Sequence, residues 1–237
     1  MSTTSMMTRT MMASASRRAP KPLVLTPSAA EAPHDCPLCP RLVAYRRDNA
    51  AAHPDWFNAP VPSFGTENAR LLIVGLAPGV QGANRTGRPF TGDFAGDLLY
   101  ATLLDFGFAK GVYAARPDDG LELVDAMITN AVRCVPPQNK PTPAEARTCL
   151  GFLTARMAAL PRLKAVLALG RIAHDAVLSA QGLKRSSAAF GHQAAHDIGD
   201  NLRLFDSYHC SRYNTNTRRL TEDMFRAVFG DIRKFLD

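Results

Sequence analysis

One five-residue stretch decides the fold: Leu71-Leu72-Ile73-Val74-Gly75. A short apolar run that ends in glycine is typical of a buried strand followed by a loop. Further strands are predicted at Leu123 to Val132, Ala165 to Leu169 and Arg203 to Tyr208, with helical patterns between them. Because strands alternate with helices, we expect an α/β fold whose parallel sheet is covered by helices on both faces.

Three helical patterns support this architecture. Residues Asp97 to Phe108 carry apolar side chains at helical spacing, and Thr221 begins a last amphipathic segment. The stretch Thr142-Pro143-Ala144-Glu145 is a capping box with proline at the first helical position, so a helix should run to about Leu160.

A ligand of such a sheet binds beyond the carboxyl ends of its strands. The loops after Gly75, Val132, Leu169 and Tyr208 are therefore where we expect a functional site.

Composition separates a basic tail from a folded domain. The 237 residues carry a net charge of +7, and four basic residues within the acid-free segment 1–25 supply +4 of it. Residues 1–34 show no sustained hydrophobic period, so we predict a disordered basic tail, 1–34, and a single domain, 35–237. An organelle transit peptide has a similar composition, but a loose tail is favoured. No apolar stretch approaches the roughly 20 residues of a membrane span, so no membrane association is expected.

The cysteines form a pattern of their own. Cys36 and Cys39 are two residues apart, whereas Cys134 and Cys149 follow much later in the chain. A zinc ribbon needs a second close pair, so the spacing favours an iron–sulfur cluster, with buried free thiols as the alternative. Cys210 is left over as a free thiol.

The loop after the first strand, residues 75–93, is rich in glycine. It matches neither a Walker loop nor G-x-G-x-x-G. Arg85 and Arg88 supply positive charge for a phosphate, and Phe90 offers a stacking face. Asp93 directly precedes a helical pattern, so its spacing predicts a helix cap or a catalytic acid equally well.

Three segments, residues 75–93, 129–141 and 209–217, together resemble the family 5 (type B) uracil-DNA glycosylases, which are iron–sulfur members of their superfamily. The resemblance covers about Cys36 to Phe235. It implies a three-layer α/β/α fold with a central four-stranded parallel sheet. It also implies hydrolytic excision of uracil, and of other deaminated bases such as hypoxanthine, from DNA. The implied ligands of a [4Fe-4S] cluster are Cys36, Cys39, Cys134 and Cys149.

The resemblance also implies catalytic residues. Related family 4 enzymes have an acid at the position of Leu76; here Leu76 and Ala77 are apolar, which points to Asp93 as the water-activating acid. Asn130 and Asn139 both qualify as the functional asparagine of the second motif, and His209 begins the third motif.

These residues imply a mechanism. A flipped-out uracil would stack on Phe90, be read by Asn130 or Asn139, and leave while His209 donates a hydrogen bond near its O2. The polar residues after the histidine are suited to phosphate contacts, although a solvated loop would have the same composition. They include Ser211, Arg212, Asn214, Asn216 and Arg218.

The other expectations concern partners and alternatives. The resemblance implies a monomer that acts on double- or single-stranded DNA in the bacterial cytoplasm, at the nucleoid. A non-enzymatic iron–sulfur DNA-binding module is one alternative, and a nucleotide-binding transferase that uses loop 75–93 is another. His174 is predicted to be structural, whereas His192 and His196 lie in a hairpin-like stretch that could approach DNA.

Overall fold

The computed structural model describes Met1 and residues 30–237. Its strands are Phe64–Gly65 (β1), Leu71–Gly75 (β2), Ala109–Lys110 (β3), Glu122–Leu123 (β4), Ala126–Asn130 (β5), Ala165–Leu169 (β6), Ala195–Gly199 (β7) and Leu202–Ser207 (β8). Its helices are Pro40–Ala52 (α1), Ala83–Thr86 (α2), Phe94–Asp105 (α3), Pro143–Ala158 (α4), Arg171–Ala180 (α5), Arg212–Asn216 (α6) and Glu222–Leu236 (α7). Among these helices there is none with the length and apolar character needed to cross a bilayer.

The main sheet has six strands in the order β1-β5-β2-β6-β8-β7. Its four inner strands are parallel, which confirms the predicted parallel sheet as the centre of the fold. The edge strands β1 and β7 are antiparallel to their neighbours and were not predicted. β1 has only two residues, and most of β7 is open to solvent, so neither carries a strong apolar pattern.

The predicted strand from Leu123 to Val132 is wrong in extent. Asp125 adopts a left-handed backbone conformation with φ of 55°, which interrupts an extended chain. Its carboxylate accepts hydrogen bonds from the backbone N–H and the Nε of Arg70, at 3.0 and 2.6 Å. The strand of the main sheet therefore begins only at Ala126, and Glu122–Leu123 pairs with Ala109–Lys110 instead.

Alternating side chains of β2 build the two halves of the core. Leu71 and Ile73 pack on the side that holds α3 and α7, whereas Leu72 and Val74 pack on the side of α4 and α5. All four side chains are fully buried, because a parallel sheet is covered on both faces.

Helix α4 begins as the sequence predicts. The backbone N–H of Glu145 donates to Thr142 Oγ1 at 3.2 Å, and the backbone N–H of Thr142 donates to Glu145 Oε2 at 2.7 Å. Glu145 also accepts two hydrogen bonds of 2.7 Å from Arg41 of α1. This ion pair ties α1 to α4 and holds Cys36 and Cys39, which directly precede α1, near Cys149 of α4.

Part of the predicted tail packs against the domain. The guanidinium of Arg133 is buried, and it contacts Glu31 Oε2 at 3.2 Å and the carbonyl oxygen of Ala30 at 3.1 Å. Glu31 Oε1 also accepts a hydrogen bond of 2.7 Å from Arg156. The packed domain therefore begins before residue 35, while residues 2–29 of the predicted tail lie outside the described residues.

Replacing Glu31 should destabilise the protein, because Arg133 would keep a buried charge without its partner. For Glu31→Ala we expect a loss of about 1–2 kcal/mol, below the cost of breaking a fully buried pair because Glu31 is one-third exposed. The melting temperature should fall by roughly 3–6 °C. Glu67→Ala is the control: Glu67 also pairs with Arg156 but is 66% exposed, so its loss should shift melting by less. Equal shifts would contradict the bracing role of Glu31.

Candidate active site

A cleft of about 860 Å³ opens at the carboxyl ends of the four parallel strands. Its walls come from the loops after β2, β5, β6 and β8, as predicted from the topology. It brings together all but one of the catalytic and substrate-binding residues predicted from the sequence. They are Ala77, Phe90, Asp93, Asn130, Asn139, His209, Ser211 and Asn214.

Asp93 occupies the N-cap position of α3, but its carboxylate forms no hydrogen bond to the first turn of that helix. It points instead toward the loop after β2: a Cβ added to Gly82 would lie 2.3 Å from Asp93 Oδ2. Its Oδ1 is buried without a hydrogen-bond partner among the described residues. Burial raises the pKa of Asp93 above its usual value, although the nearby backbone amides of Gly96 and Ala95 oppose this shift. The structure therefore shows a carboxylate with one buried oxygen, Oδ1, that no donor among the described residues satisfies.

His209 follows β8 and lines the opposite part of the cleft. Its ring stacks near that of Phe90, with centroids 5.8 Å apart and planes inclined by 27°. Its carbonyl oxygen accepts a hydrogen bond of 2.8 Å from the side chain of Asn214. Burial lowers the pKa of His209 to about 4, so the imidazole is neutral at physiological pH. It can therefore donate one hydrogen bond without carrying charge.

Gly75 lets two cleft residues approach each other. A Cβ at this position would lie 2.4 Å from Asn130 Oδ1 and 2.6 Å from the Phe90 ring. Asn130 is almost fully buried at the end of β5. Asn139 is exposed at the rim, in a short 3₁₀ turn. The two candidate asparagines thus occupy different depths in the same cleft.

The two arginines of loop 75–93 do not lie where a phosphate site in the cleft would need them. Arg88 is buried and forms a bidentate ion pair with Asp119, with N–O distances of 2.8 and 2.7 Å, so its charge is already neutralised. Arg85 lies on the short helix α2 and faces a separate surface depression beside Trp56. Both predicted placements in the cleft are corrected by the structure.

The cleft rim carries three other cations, Arg171, Arg212 and Arg219. The sequence suggested Arg212 and Arg219 as DNA contacts, whereas sequence reasoning missed Arg171. Arg212 lies over the ring of Phe94 at 5.2 Å, and Arg219 over that of Tyr208 at 4.6 Å. For Arg171, the signal was available: it directly follows the Gly170 that ends a buried strand.

Exposed apolar side chains also lie at the rim. Tyr213 is 72% exposed and lies in the short helix α6, whose N-cap is Ser211. Phe94 and Ile172, which are also exposed, line the same cleft, so Tyr213 belongs to a group of exposed apolar side chains and does not stand alone.

The four predicted cluster ligands line one small, mostly apolar cavity between α1, α4 and the loop after β5. The backbone N–H of Arg133 donates to the Sγ of Cys149 at 3.3 Å. Burial raises the pKa of the Cys39 thiol to about 11 and that of the Cys134 thiol to about 12. Cys210 is separate: it is buried beside the active site and donates to the carbonyl oxygen of Ala95 at 3.4 Å.

The chain matches known proteins over most of its length. Residues 62–233 match the family model described as "Uracil DNA glycosylase superfamily", the class that this fold and cleft define. The type-5 uracil-DNA glycosylase of Thermus thermophilus is 44% identical over 204 residues, which cover 84% of this chain and 93% of that protein. Those of Mycobacterium tuberculosis and Pyrobaculum aerophilum are each 40% identical, over 84% and 82% of this chain and 77% and 86% of their own. The chain therefore belongs to the type-5 uracil-DNA glycosylases.

The low pKa of His209 predicts that its ring does not titrate near neutrality. NMR of the imidazole should show no titration between about pH 5.5 and 8, because the folded-state pKa is about 4. The unfolded chain binds this proton near pH 6.5, so the wild type should lose stability as the pH falls from about 6.5 toward 4. The His209→Gln variant should lack that part of the loss. A titration midpoint near 6.5 would show that the ring is not shielded as described.

Proposed function

We propose that this chain is a monofunctional glycosylase that excises uracil from DNA by hydrolysis and leaves an abasic site. The observation that carries the proposal is one cleft in which an unpaired carboxylate, Asp93, and a neutral imidazole, His209, flank an aromatic ring, Phe90. The family membership supports the same reaction, since the relatives are named uracil-DNA glycosylases.

Base recognition begins with flipping, because a base stacked in a duplex is out of reach of a cleft. The extruded uracil stacks on Phe90, and Asn130 reads its polar edge. The buried place of Asn130 beside the Phe90 ring favours it over Asn139 for this role. Asn139, exposed at the rim, would contact the DNA backbone instead.

Cleavage of the N-glycosidic bond develops positive charge on the sugar and negative charge on the leaving base. Asp93 supplies a negative charge to the sugar and accepts a hydrogen bond from the attacking water with its unpaired oxygen. His209 donates an N–H to O2 of the departing uracil. Because its pKa is about 4, the imidazole stabilises the base as an anion and does not protonate it.

DNA is held by the rim. Arg171, Arg212 and Arg219 line the cleft and would contact DNA phosphates. Tyr213, exposed beside them, would insert into the space that the extruded nucleotide leaves in the stack.

The same cleft, with about 860 Å³ of space, would also admit hypoxanthine, which is larger than uracil. Mispaired bases should be preferred because they cost less to extrude. We also propose that the protein is a monomer and acts in the cytoplasm.

The four cysteines fit a [4Fe-4S] cluster better than a single zinc ion. Tetrahedral zinc thiolates would be about 3.8 Å apart, by the Zn–S bond length. Within residues 30–237, no three of these cysteines bring their Sγ atoms within 4.8 Å of one another, so the donor set is wider than one ion needs. The shared apolar cavity and the N–H donated to Cys149 are features that such clusters use. When bound, the cluster would link α1 to α4 and transfer no electrons in a hydrolysis.

The function is tested by alkaline strand cleavage of a uracil-containing oligonucleotide. The wild type should excise the uracil, so that alkali breaks the strand at the abasic site. Asp93→Asn should lose roughly 10²–10⁴-fold in kcat, and His209→Ala roughly 10²–10³-fold. The activity assignment fails if the wild type leaves U·G, U·A and single-stranded uracil intact.

A pair of glycine variants tests the placement of Asp93. Gly82→Ala should slow excision strongly, because the new methyl group would displace the carboxylate that lies 2.3 Å away. Gly230→Ala is the matched control: its Cβ would meet nothing closer than 3.9 Å, on a helix far from the cleft. If both variants keep full activity, the carboxylate position described here has no role in the reaction.

The cluster is tested by colour and iron content. Purified wild type should be brown, and Cys134→Ser should lose the absorbance and most of its iron. Cys210→Ser, which alters a buried thiol outside the cavity, should keep both. Colourless wild-type protein that contains zinc would overturn the assignment.

A further inference from the structure

Behind the cleft lies a buried polar network that the reaction described above does not use. His174 of α5 and Asp206 of β8 are 1% and 0% exposed, and His174 Nδ1 lies 2.8 Å from Asp206 Oδ1. His196 of β7 adds a third group, with Nε2 at 3.3 Å from Asp206 Oδ2. The backbone N–H of Gly191 donates to the same oxygen at 3.4 Å.

The hydrogen-bond partners of His174 determine where its protons lie. Its Nε2 is 3.1 Å from the carbonyl oxygen of Ala188, which can only accept, so Nε2 carries a proton. The contact between Nδ1 and the Asp206 carboxylate is attractive only if a second proton lies between them. The pair therefore holds one proton more than a neutral imidazole and a free carboxylate together. Burial raises the pKa of Asp206, which acts in the same direction.

A metal ion is the competing occupant of the same three side chains, whose ligand atoms lie within 4.8 Å of one another. Nitrogen and oxygen ligands of tetrahedral zinc would be about 3.3 Å apart, given their bond lengths. The observed 2.8 Å between Nδ1 and Oδ1 is the length of a charge-assisted hydrogen bond. The distances therefore favour the proton.

This contact lies one turn from the active site. The backbone N–H of His174 donates to the carbonyl oxygen of Gly170 at 3.1 Å, and the N–H of Gly170 donates to that of Ser207 at 2.8 Å. A Cβ added at Gly170 would come into ordinary van der Waals contact with the Cβ of His209, at 3.6 Å, so the start of α5 lies next to the proposed leaving-group donor.

A second set of contacts joins Asp206 to Tyr208, the residue before His209. The backbone N–H of Gln193 donates to the carbonyl oxygen of Asp206 at 2.9 Å. The neighbouring His192 stacks on Tyr208, with ring centroids 5.1 Å apart, and its Nδ1 accepts from the Tyr208 N–H at 3.3 Å. The segment 188–194 is thus fastened to both sides of the network.

We propose that His174 is a positioning residue for His209. The proton between His174 and Asp206 holds the start of α5 and the end of β8 together, and this fixes the His209 ring over the cleft. The inference rests on the proposed role of His209. The other charged groups packed around the network are His196 on β7, Arg171 stacked on Phe190 at 5.3 Å, and the Arg185–Asp175 pair at 4.0 Å.

Two variants of the cluster-containing protein test the proposal. His174→Leu removes the donor to Asp206 and should lower kcat at least roughly tenfold with little change in KM, because the donor to the leaving group is misplaced. His174→Asn places an amide N–H where Nδ1 was, so most of kcat should return. Equal kcat in the Leu variant and the wild type would overturn the proposal.

A spectroscopic measurement on the wild type does not depend on how the variants fold. The shared proton should give a strongly low-field ¹H NMR resonance at pH 7, absent from both variants. Its absence from the wild type, or visible Co²⁺ absorption bands that vanish in His174→Leu, would overturn the proposal. If His209→Ala is fully active, the inference falls with the proposed function; if His209→Ala is slow and His174→Leu is not, only the inference falls.

Discussion

An unpaired carboxylate in a mostly buried position is the constraint on which the active site depends. Leaving a buried acceptor without a donor costs free energy, and folded proteins ordinarily avoid it. Here Asp93 stands at the start of a helix, where amides are close, yet its carboxylate turns to the glycine-lined loop after β2. The packing of the surrounding core, which includes α3 and β2, offsets that cost. What the protein leaves unbonded, substrate and water can use.

The same constraint explains why glycines stand where they do. Gly82 leaves space for the Asp93 carboxylate, and Gly75 leaves space for Phe90 and Asn130 to meet. Gly170, beside His209, has a backbone φ of 96°, which favours glycine at the turn from β6 into α5. Gly75 ends β2, Gly82 lies in the loop after β2, and Gly170 follows β6. The strand ends and the proposed catalytic groups therefore lie in the same part of the backbone.

Much of this arrangement was predictable from the sequence. The strands β2 and β6 coincide with apolar runs in the sequence, because a strand that is buried on both faces has an unbroken apolar pattern. The capping box of α4 placed Cys149 on the second turn. Because ligands of parallel sheets bind beyond the carboxyl ends of the strands, the topology alone predicts that most of the site residues lie in one cleft. The family itself came from motif resemblance, and the comparisons with known proteins confirm it.

The rest depended on three-dimensional contacts that spacing does not reveal. The strand predicted from Leu123 was shortened because Asp125 turns left-handed to meet Arg70, which is 55 residues away in sequence. Arg88 resembled a phosphate ligand until its buried partner, Asp119, was located. Asn130 and Asn139 can be told apart only by how deeply each lies in the cleft, which the sequence does not show. The His174–Asp206 contact joins residues 32 positions apart and leaves no local pattern.

The central claim is that the cleft between Asp93 and His209 receives the flipped base. The most direct measurement is a crystal structure of the protein bound to DNA that contains a 2′-fluorinated uracil nucleotide, which resists hydrolysis. The account predicts a base stacked on Phe90, with O2 within hydrogen-bond distance of the His209 ring and the sugar facing Asp93. A base bound elsewhere, such as the depression beside Trp56 and Arg85, would contradict it.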